Sequence, residues 1–338
     1  SLGLITAALI FIVNALTLRV EGSIFIIGIL ISIIAFNIAF REEELAEKFY
    51  KLSLKASPKF ALTLAFLFMV ICAGVTFLFV FLGKVYTADI YAGSALRLKD
   101  ISENSINRFV KAIELNKKEG RYFTEIGKQF IFLANTEALR GEKERDNNKV
   151  VSYMQQSINF AKQGADLSKN DVVAVEALAQ IYENAGLYVP DYLKLAEENY
   201  RRALELEPAN PIILVKIGQI KESMIPIAKS EDEKNNLLEE AKNLFQEAIK
   251  KKSNFGPGYY NLSLIEEAQG NLDGAILNMG EALKTNPNDL NYVFNLGRLY
   301  QARGKEEDLK IAETAYLQVL SFNPEEKNAL FSLGTLYE

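Results

Sequence analysis

Histidine is absent from this 338-residue chain, and its single cysteine, Cys72, lies inside an apolar run. Without histidine the chain can build no Ser-His or Cys-His nucleophile pair and no His-ligated metal site. A lone cysteine excludes an intrachain disulfide and says nothing of redox compartment. No phosphate-cradling G-x-x-x-x-G-K-[ST] loop is present: Gly120 to Gly127 and Lys128 has the wrong spacing and no hydroxyl residue after the lysine. Charge is scarce at one end, where residues 1–83 hold six basic and five acidic residues. The remaining 84–338 hold 32 basic and 38 acidic residues, a net charge of −6 with no electrostatic footprint for nucleic acid. The two parts need separate readings.

Three uncharged apolar stretches fill the first part: residues 2–18 (17 residues), 23–40 (18) and 60–82 (23). At about 1.5 Å rise per residue, roughly 20 residues cross a hydrocarbon core of about 30 Å. The third stretch spans outright and the second is adequate. The first, which begins at the chain end without an initiating Met, reads as the stump of a longer span joined to the second by the tight turn 19–22. Three such segments without a basic region ahead of the first do not fit a signal peptide. Asn14 and Asn37 read as helix–helix packing contacts within the bilayer. Loop 41–59 carries five Lys/Arg, the turn 19–22 one and residues 84–100 three. The positive-inside rule therefore places 41–59 in the cytoplasm and everything after residue 82 outside it.

A repeat organises the rest. Large, apolar, small and aromatic residues recur in helical spacing as Phe123, Ile126, Gly127, Phe130, then Val175, Leu178, Ala179, Tyr182, then Val293, Leu296, Gly297, Tyr300, and again as Leu330, Leu333, Gly334, Tyr337. A second helix follows with a small-aromatic-small pattern and a proline: Ala196, Tyr200, Ala203, Pro208; Ala275, Met279, Ala282, Pro287; Ala312, Tyr316, Val319, Pro324. Weaker units lead from Leu214, Ile217 and Gly218 to Ala241, Phe245 and Ala248, from Tyr259 and Leu262 to Ala275, and from Asp89, Ala92 and Gly93 to Ser105, Phe109 and Ala112. The pattern resembles the tetratricopeptide repeat (TPR), a helix-turn-helix unit of about 34 residues. The lead positions 89, 123, 175, 214, 259, 293 and 330 lie 34 residues apart or more, the excess falling between the two helices of a unit, near 136–149, 185–193, 222–235 and 303–309. Insertions in one kind of loop line one edge of the stack. Segment 137–149, rich in Arg, Glu, Lys and Asn, reads as a mobile, solvated loop.

The expected fold is therefore all-α: transmembrane helices over 1–83, then a TPR-type right-handed α-solenoid of helix pairs over 84–338. Its units fall at about 86–119, 120–171, 172–210, 211–255, 256–289, 290–326 and an incomplete 327–338. Leu330, Leu333 and Tyr337 lack the second helix that should cover them, so the chain reads as an excerpt of a longer protein.

No catalytic, cofactor or metal site is expected. Acidic clusters such as Glu197 with Glu198, or Glu266 with Glu267, read as solvated helix faces. The sequon Asn261, Leu262, Ser263 falls inside a helix at a packing position. The TPR resemblance implies a ligand groove along the first helices, lined two before and one, five, eight and nine after each lead residue. It places Tyr260, Leu264 and Glu267, then Asn291, Phe294, Arg298 and Gln301, then Phe331 and Thr335 in that groove. Phe294 and Arg298 stand where the family's clamp for acidic C-terminal peptides has Lys and Asn, which argues against that ligand class. Tyr260, Phe294 and Phe331 form one stripe, either interface anchors beside Arg298 that could also stack on sugar rings, or ordinary inter-repeat packing.

These features imply a membrane-tethered scaffold with two partners, the lipid bilayer and a protein, peptide or glycan held outside the cytoplasm of a bacterial-type plasma (inner) membrane. The layout of spans before repeats is similar to the C-terminal end of O-antigen ligase-like or polymerase-like envelope proteins, which implies glycan-assembly chemistry located upstream. A recruitment module of a transporter or secretion complex, or a cytoplasm-facing TPR receptor, fits the same residues.

Overall fold

The computed structural model describes residues 58–98 and 101–337. The stretches at 2–18 and 23–40, Asn14, Asn37 and all but the last two residues of the orienting loop 41–59 lie outside the described residues. The chain divides into two units, Ser1–Gly93 and Ser94–Glu338.

Helix α1, Pro58–Leu96, carries the third expected span and runs for 39 residues. It does not stop at residue 82. Lys84 interrupts the apolar run but not the hydrogen-bond ladder, and no proline lies between it and Leu96. Residues 86–96, assigned from the sequence to the first helix of a repeat, are thus continuous with the apolar helix. The hydroxyls of Thr76 and Thr87 donate to the carbonyls of Cys72 and Gly83, one turn back, at 2.8 Å each. Among the described residues, one helix is long and apolar enough to cross a membrane, over Ala65–Leu96. The expectation of several spans rests on residues outside that set.

The second unit is helical throughout its regular structure. Helix α2 (Glu103–Leu115) precedes five antiparallel pairs: α3 (Gly120–Ala138) with α4 (Asn147–Leu167), α5 (Val172–Gly186) with α6 (Tyr192–Leu206), α7 (Pro211–Met224) with α8 (Glu231–Lys251), α9 (Gly256–Ala268) with α10 (Leu272–Thr285), and α11 (Leu290–Arg303) with α12 (Glu306–Phe322). Helix α13 (Lys327–Tyr337) follows. Short polar side chains start many of them. Asp146, Asp171, Asn210, Ser230, Asn271 and Asp289 each accept from an otherwise orphaned backbone N–H of the first turn. Two of the turns inside a pair depend on glycine in the left-handed region, Gly270 at φ 78° and Gly304 at φ 70°.

Small residues set the distance within each pair. A Cβ on Gly218 would stand 2.3 Å from the Phe245 ring, and one on Gly297 would stand 2.9 Å from the Ala315 Cβ. In the longest pair the contact is backbone on backbone: Gly127 lies against Ser157 and Ala161, and the Ser157 hydroxyl donates to the Gly127 carbonyl at 2.7 Å. The excess residues of this unit form helix as well as loop, giving α3 and α4 19 and 21 residues against 13 and 14 in α9 and α10. What remains of the 137–149 segment is anchored, because the buried Glu137 carboxylate accepts the Asp146 N–H at 3.0 Å just where α4 begins. The second-helix residues read from the sequence, from Ala196, Tyr200 and Ala203 to Ala312, Tyr316 and Val319, are all buried. Each helix packs on its chain neighbours, so the core is a row of linked apolar clusters instead of one centre.

One substitution should have opposite effects at two glycines. A Cβ on Gly164 would meet the Thr124 N at 2.9 Å and the Gly120 carbonyl oxygen at 3.0 Å, whereas nothing lies within 4 Å of one on Gly280. Urea unfolding followed by circular dichroism should find Gly164→Ala destabilised by about 1–3 kcal/mol through overpacking. Gly280→Ala should be stabilised by up to about 1 kcal/mol through helix propensity. Equal shifts of one sign would refute this account of the helix spacing.

Candidate functional site: the inner face of the first helices

First helices touch one another as well as their partners, α3 with α5, α7 with α9 and α11 with α13, while the contacts of second helices run chiefly to their chain neighbours. The first helices therefore form the tighter, inner side. A polar contact bridges every step along it. Asn135 Nδ2 donates to Asn184 Oδ1 at 3.0 Å between α3 and α5, and Lys216 Nζ stands 3.5 Å from Glu183 Oε1 between α7 and α5. Gln219 Nε2 donates to Asn261 Oδ1 at 3.2 Å between α7 and α9. Arg298 on α11 grips Glu267 on α9 with two bonds of 2.5 and 2.6 Å. Gln301 Nε2 donates to Thr335 Oγ1 at 3.2 Å between α11 and α13.

The residues expected in the groove take up different states. Arg298 and Gln301 lie in this seam, and Glu267 on its anionic side. The hydrogen bond from Arg298 to Glu267, more than the opposing burial, holds the guanidinium pKa above its ordinary value. Gln301 also accepts the Tyr316 hydroxyl at 2.6 Å. Phe294 is half-buried with its ring 5.7 Å from that of Tyr316, and half-buried Tyr260 stacks on Tyr292 at 5.4 Å. Leu264 is half-buried. Asn291 is exposed at the start of α11, where its Oδ1 accepts from Asn295 Nδ2 at 3.0 Å. Phe331 is 74% exposed on α13 and so is not drawn into the aromatic packing of the other two.

The groove positions eight after each lead residue form a series. Glu183 accepts the Tyr200 hydroxyl at 2.6 Å and faces Lys216; Glu267 has Arg298; Gln301 has Tyr316 and Thr335. The fourth member is Glu222, eight after Leu214. The sequence spacing places the loop of this unit near 222–235, and the groove positions read from the sequence cover only the units led by Tyr259, Val293 and Leu330. The structure continues α7 to Met224, because the ladder fails only on reaching Pro226, which lies inside the single 3₁₀ turn Ile225–Ile227. Extending the five-after and eight-after spacing to the units led by Val175 and Leu214 would have found Glu183, Gln219 and Glu222. Asn135 lies 12 after its lead and answers to no such spacing.

Glu222 is half-buried, and no hydrogen bond or ion pair reaches its carboxylate from any described residue. The cations of its own helix are engaged elsewhere, Lys216 with Glu183, and Lys221 with Glu197 of α6 at 2.9 Å and Glu240 of α8 at 2.7 Å. Loss of hydration alone pushes its pKa up to about 7. Among the described residues no group of three His, Cys, Asp or Glu converges on a point where a metal ion could sit.

No protein-family model and no curated protein matches the chain. Solved structures do resemble it. PilF of Pseudomonas aeruginosa is 12% identical with a TM-score of 0.51, over 75% of this chain and 99% of that one. A chain of the APC/C hetero-tetramer Cut9–Hcn1 is 17% identical with a TM-score of 0.50, over 75% of this chain and 43% of that one. The fold is a TPR-like helical repeat. A thermophilic TPR protein of Thermus thermophilus is more loosely similar, 16% identical with a TM-score of 0.46 over 62% of this chain and 98% of that one. At these identities the likeness is one of fold alone, and the O-antigen ligase-like layout gains no support from it.

A raised carboxylate pKa makes stability pH-dependent with a definite sign. The stabilisation linked to the Glu222 proton is complete below its unfolded value near 4.5 and is lost as pH rises through about 7. Thermal unfolding at pH 8 should therefore find Glu222→Gln more stable than the native chain, by roughly 1–3 kcal/mol. That gap should close towards pH 4.5. A gap that does not change with pH would mean the carboxylate is solvated.

Proposed function

We propose that this chain is a membrane-tethered interaction scaffold whose inner repeat face holds an extended segment of a partner protein. The observation that carries this reading is the unbroken line of polar and aromatic side chains along successive first helices, with half-buried Tyr260, Leu264 and Phe294 beside exposed Phe331. Stacked repeats offer an elongated surface, suited to a chain segment more than to a compact ligand. One face of the Tyr260 ring is already stacked on Tyr292, and Phe294 packs on Tyr316, which favours apolar side chains of a peptide over a sugar ring needing an open aromatic platform.

The tether is α1. Phe66, Phe68, Met69, Phe77 and Phe79 are each more than 60% exposed along it. Apolar area left in water costs about 25 cal/mol per Å², so such a helix calls for a lipid surround. With the charge of loop 41–59 facing the cytoplasm, the repeats project to the other side of the membrane, where they position a protein partner for an envelope process.

Two experiments test the parts separately. Protease added to spheroplasts should digest the repeat unit; full protection until lysis would instead support a cytoplasm-facing receptor. For the groove, Phe294→Ala and Arg298→Ala should each weaken partner capture by about tenfold or more, as substitutions at interface anchors do. Circular dichroism should remain helical in both. Undiminished capture by both folded variants would remove the inner face from the mechanism.

A further inference from the structure

Glu222 is the one member of its series that the fold leaves unserved. Glu183, Glu267 and Gln301 find polar partners in two directions, a tyrosine hydroxyl on the second helix of the same unit or a polar side chain on the next first helix. Both directions fail at Glu222. Its second helix presents Phe245 where Tyr200 and Tyr316 stand in other units, so no hydroxyl is available, and Phe245 is fully buried against Gly218. The next first helix presents Leu264 in the register of Arg298 and Thr335. The remaining polar neighbour in register, Asn261, is already engaged: its Nδ2 donates to the Pro257 carbonyl at 2.7 Å and its Oδ1 accepts from Gln219.

A half-buried carboxylate without a cation or donor weakens a fold. Glu222 lies on the inner face, between groove positions on α5 and α9 whose polar groups are satisfied. We propose that Glu222 is the anionic end of a subsite for one lysine or arginine side chain of the segment held in the groove, a reading that rests on the proposed peptide groove. Leu264 supplies the apolar wall. A long basic side chain can lay its methylene stem on Leu264 and carry its charge to the carboxylate, taking the place that Arg298 fills for Glu267 one junction further on. The subsite thus discriminates by charge. It accepts a basic segment with apolar flanks and rejects an acidic one, at a junction that the chain's own side chains do not close as they close the others.

A phage-displayed library of random dodecapeptides selected on the whole chain tests this. Enriched peptides should carry Lys or Arg at one fixed position between apolar residues and should be lost on Phe294→Ala. A fluorescently labelled winner should bind Glu222→Gln at least about tenfold more weakly. Leu264→Lys, which restores an internal cation, should weaken it similarly while holding or raising the thermal midpoint, so a folding defect cannot account for the loss. Peptides that need Phe294 but carry no fixed cation, or that bind both variants undiminished, would overturn the subsite and leave the groove standing. Selection of no peptide that depends on Phe294 would overturn both.

Discussion

The closeness of two helices at a small residue governs the rest of the repeat unit. Where Gly127, Gly218 or Gly297 meets its partner helix, no Cβ keeps the backbones apart, and Ala161, Phe245 or Ala315 with Tyr316 fills the space. That approach fixes how far apart the first helices of successive units stand. It thereby fixes which side chains can bridge them. The polar seam follows from this spacing: a side chain the length of Gln219 or Arg298 reaches the next helix because the pairs are packed to van der Waals contact.

On the proposed reading, the inner seam uses the same positions for two purposes. Hydrogen bonds and ion pairs between first helices hold adjacent units in register, and a groove residue committed to one has fewer donors left to offer a ligand. Arg298 illustrates this. It is a natural anchor by residue type, yet both of its terminal nitrogens are held by Glu267. On the proposed reading, recognition capacity lies where the internal pairing is incomplete, as at Glu222. In a linear array each junction can be tuned by one or two substitutions with little effect on more distant ones, since units contact only their neighbours.

Much of the fold was legible because its determinants are local and periodic. Ala196, Tyr200 and Ala203, or Ala275, Met279 and Ala282, follow helical spacing and state which face is buried without reference to distant residues. Other parts were less legible for equally physical reasons. The end of an apolar run at residue 82 says nothing about the end of a helix, because Lys84 continues a hydrogen-bond ladder as well as leucine does. The α4 face made by Ser157, Ala161 and Gly164 escaped the pattern because its aromatic position holds alanine and an excess of residues shifts it along the chain. Loop and helix extension look alike in such an excess, and only the anchoring of Asp146 by Glu137 separates them.

The sequence by itself determined the residue classes: an uncharged segment long enough to span a bilayer, an all-helical repeat, and a stripe of aromatic and polar residues on the first helices. Spacing of 3.6 residues per turn writes these into the chain one turn at a time. Only the tertiary structure decided which of the stripe's residues are occupied. Glu183, Glu222 and Glu267 have the same side chain at the same repeat position. Their chemistry differs because Lys216 and Arg298, each about 30 residues further along, are brought opposite Glu183 and Glu267 by helix packing, while the register of Arg298 holds Leu264 in the repeat after Glu222. Whether a carboxylate is paired or open depends on what the next repeat places across the gap, and the local sequence around it does not hold that information.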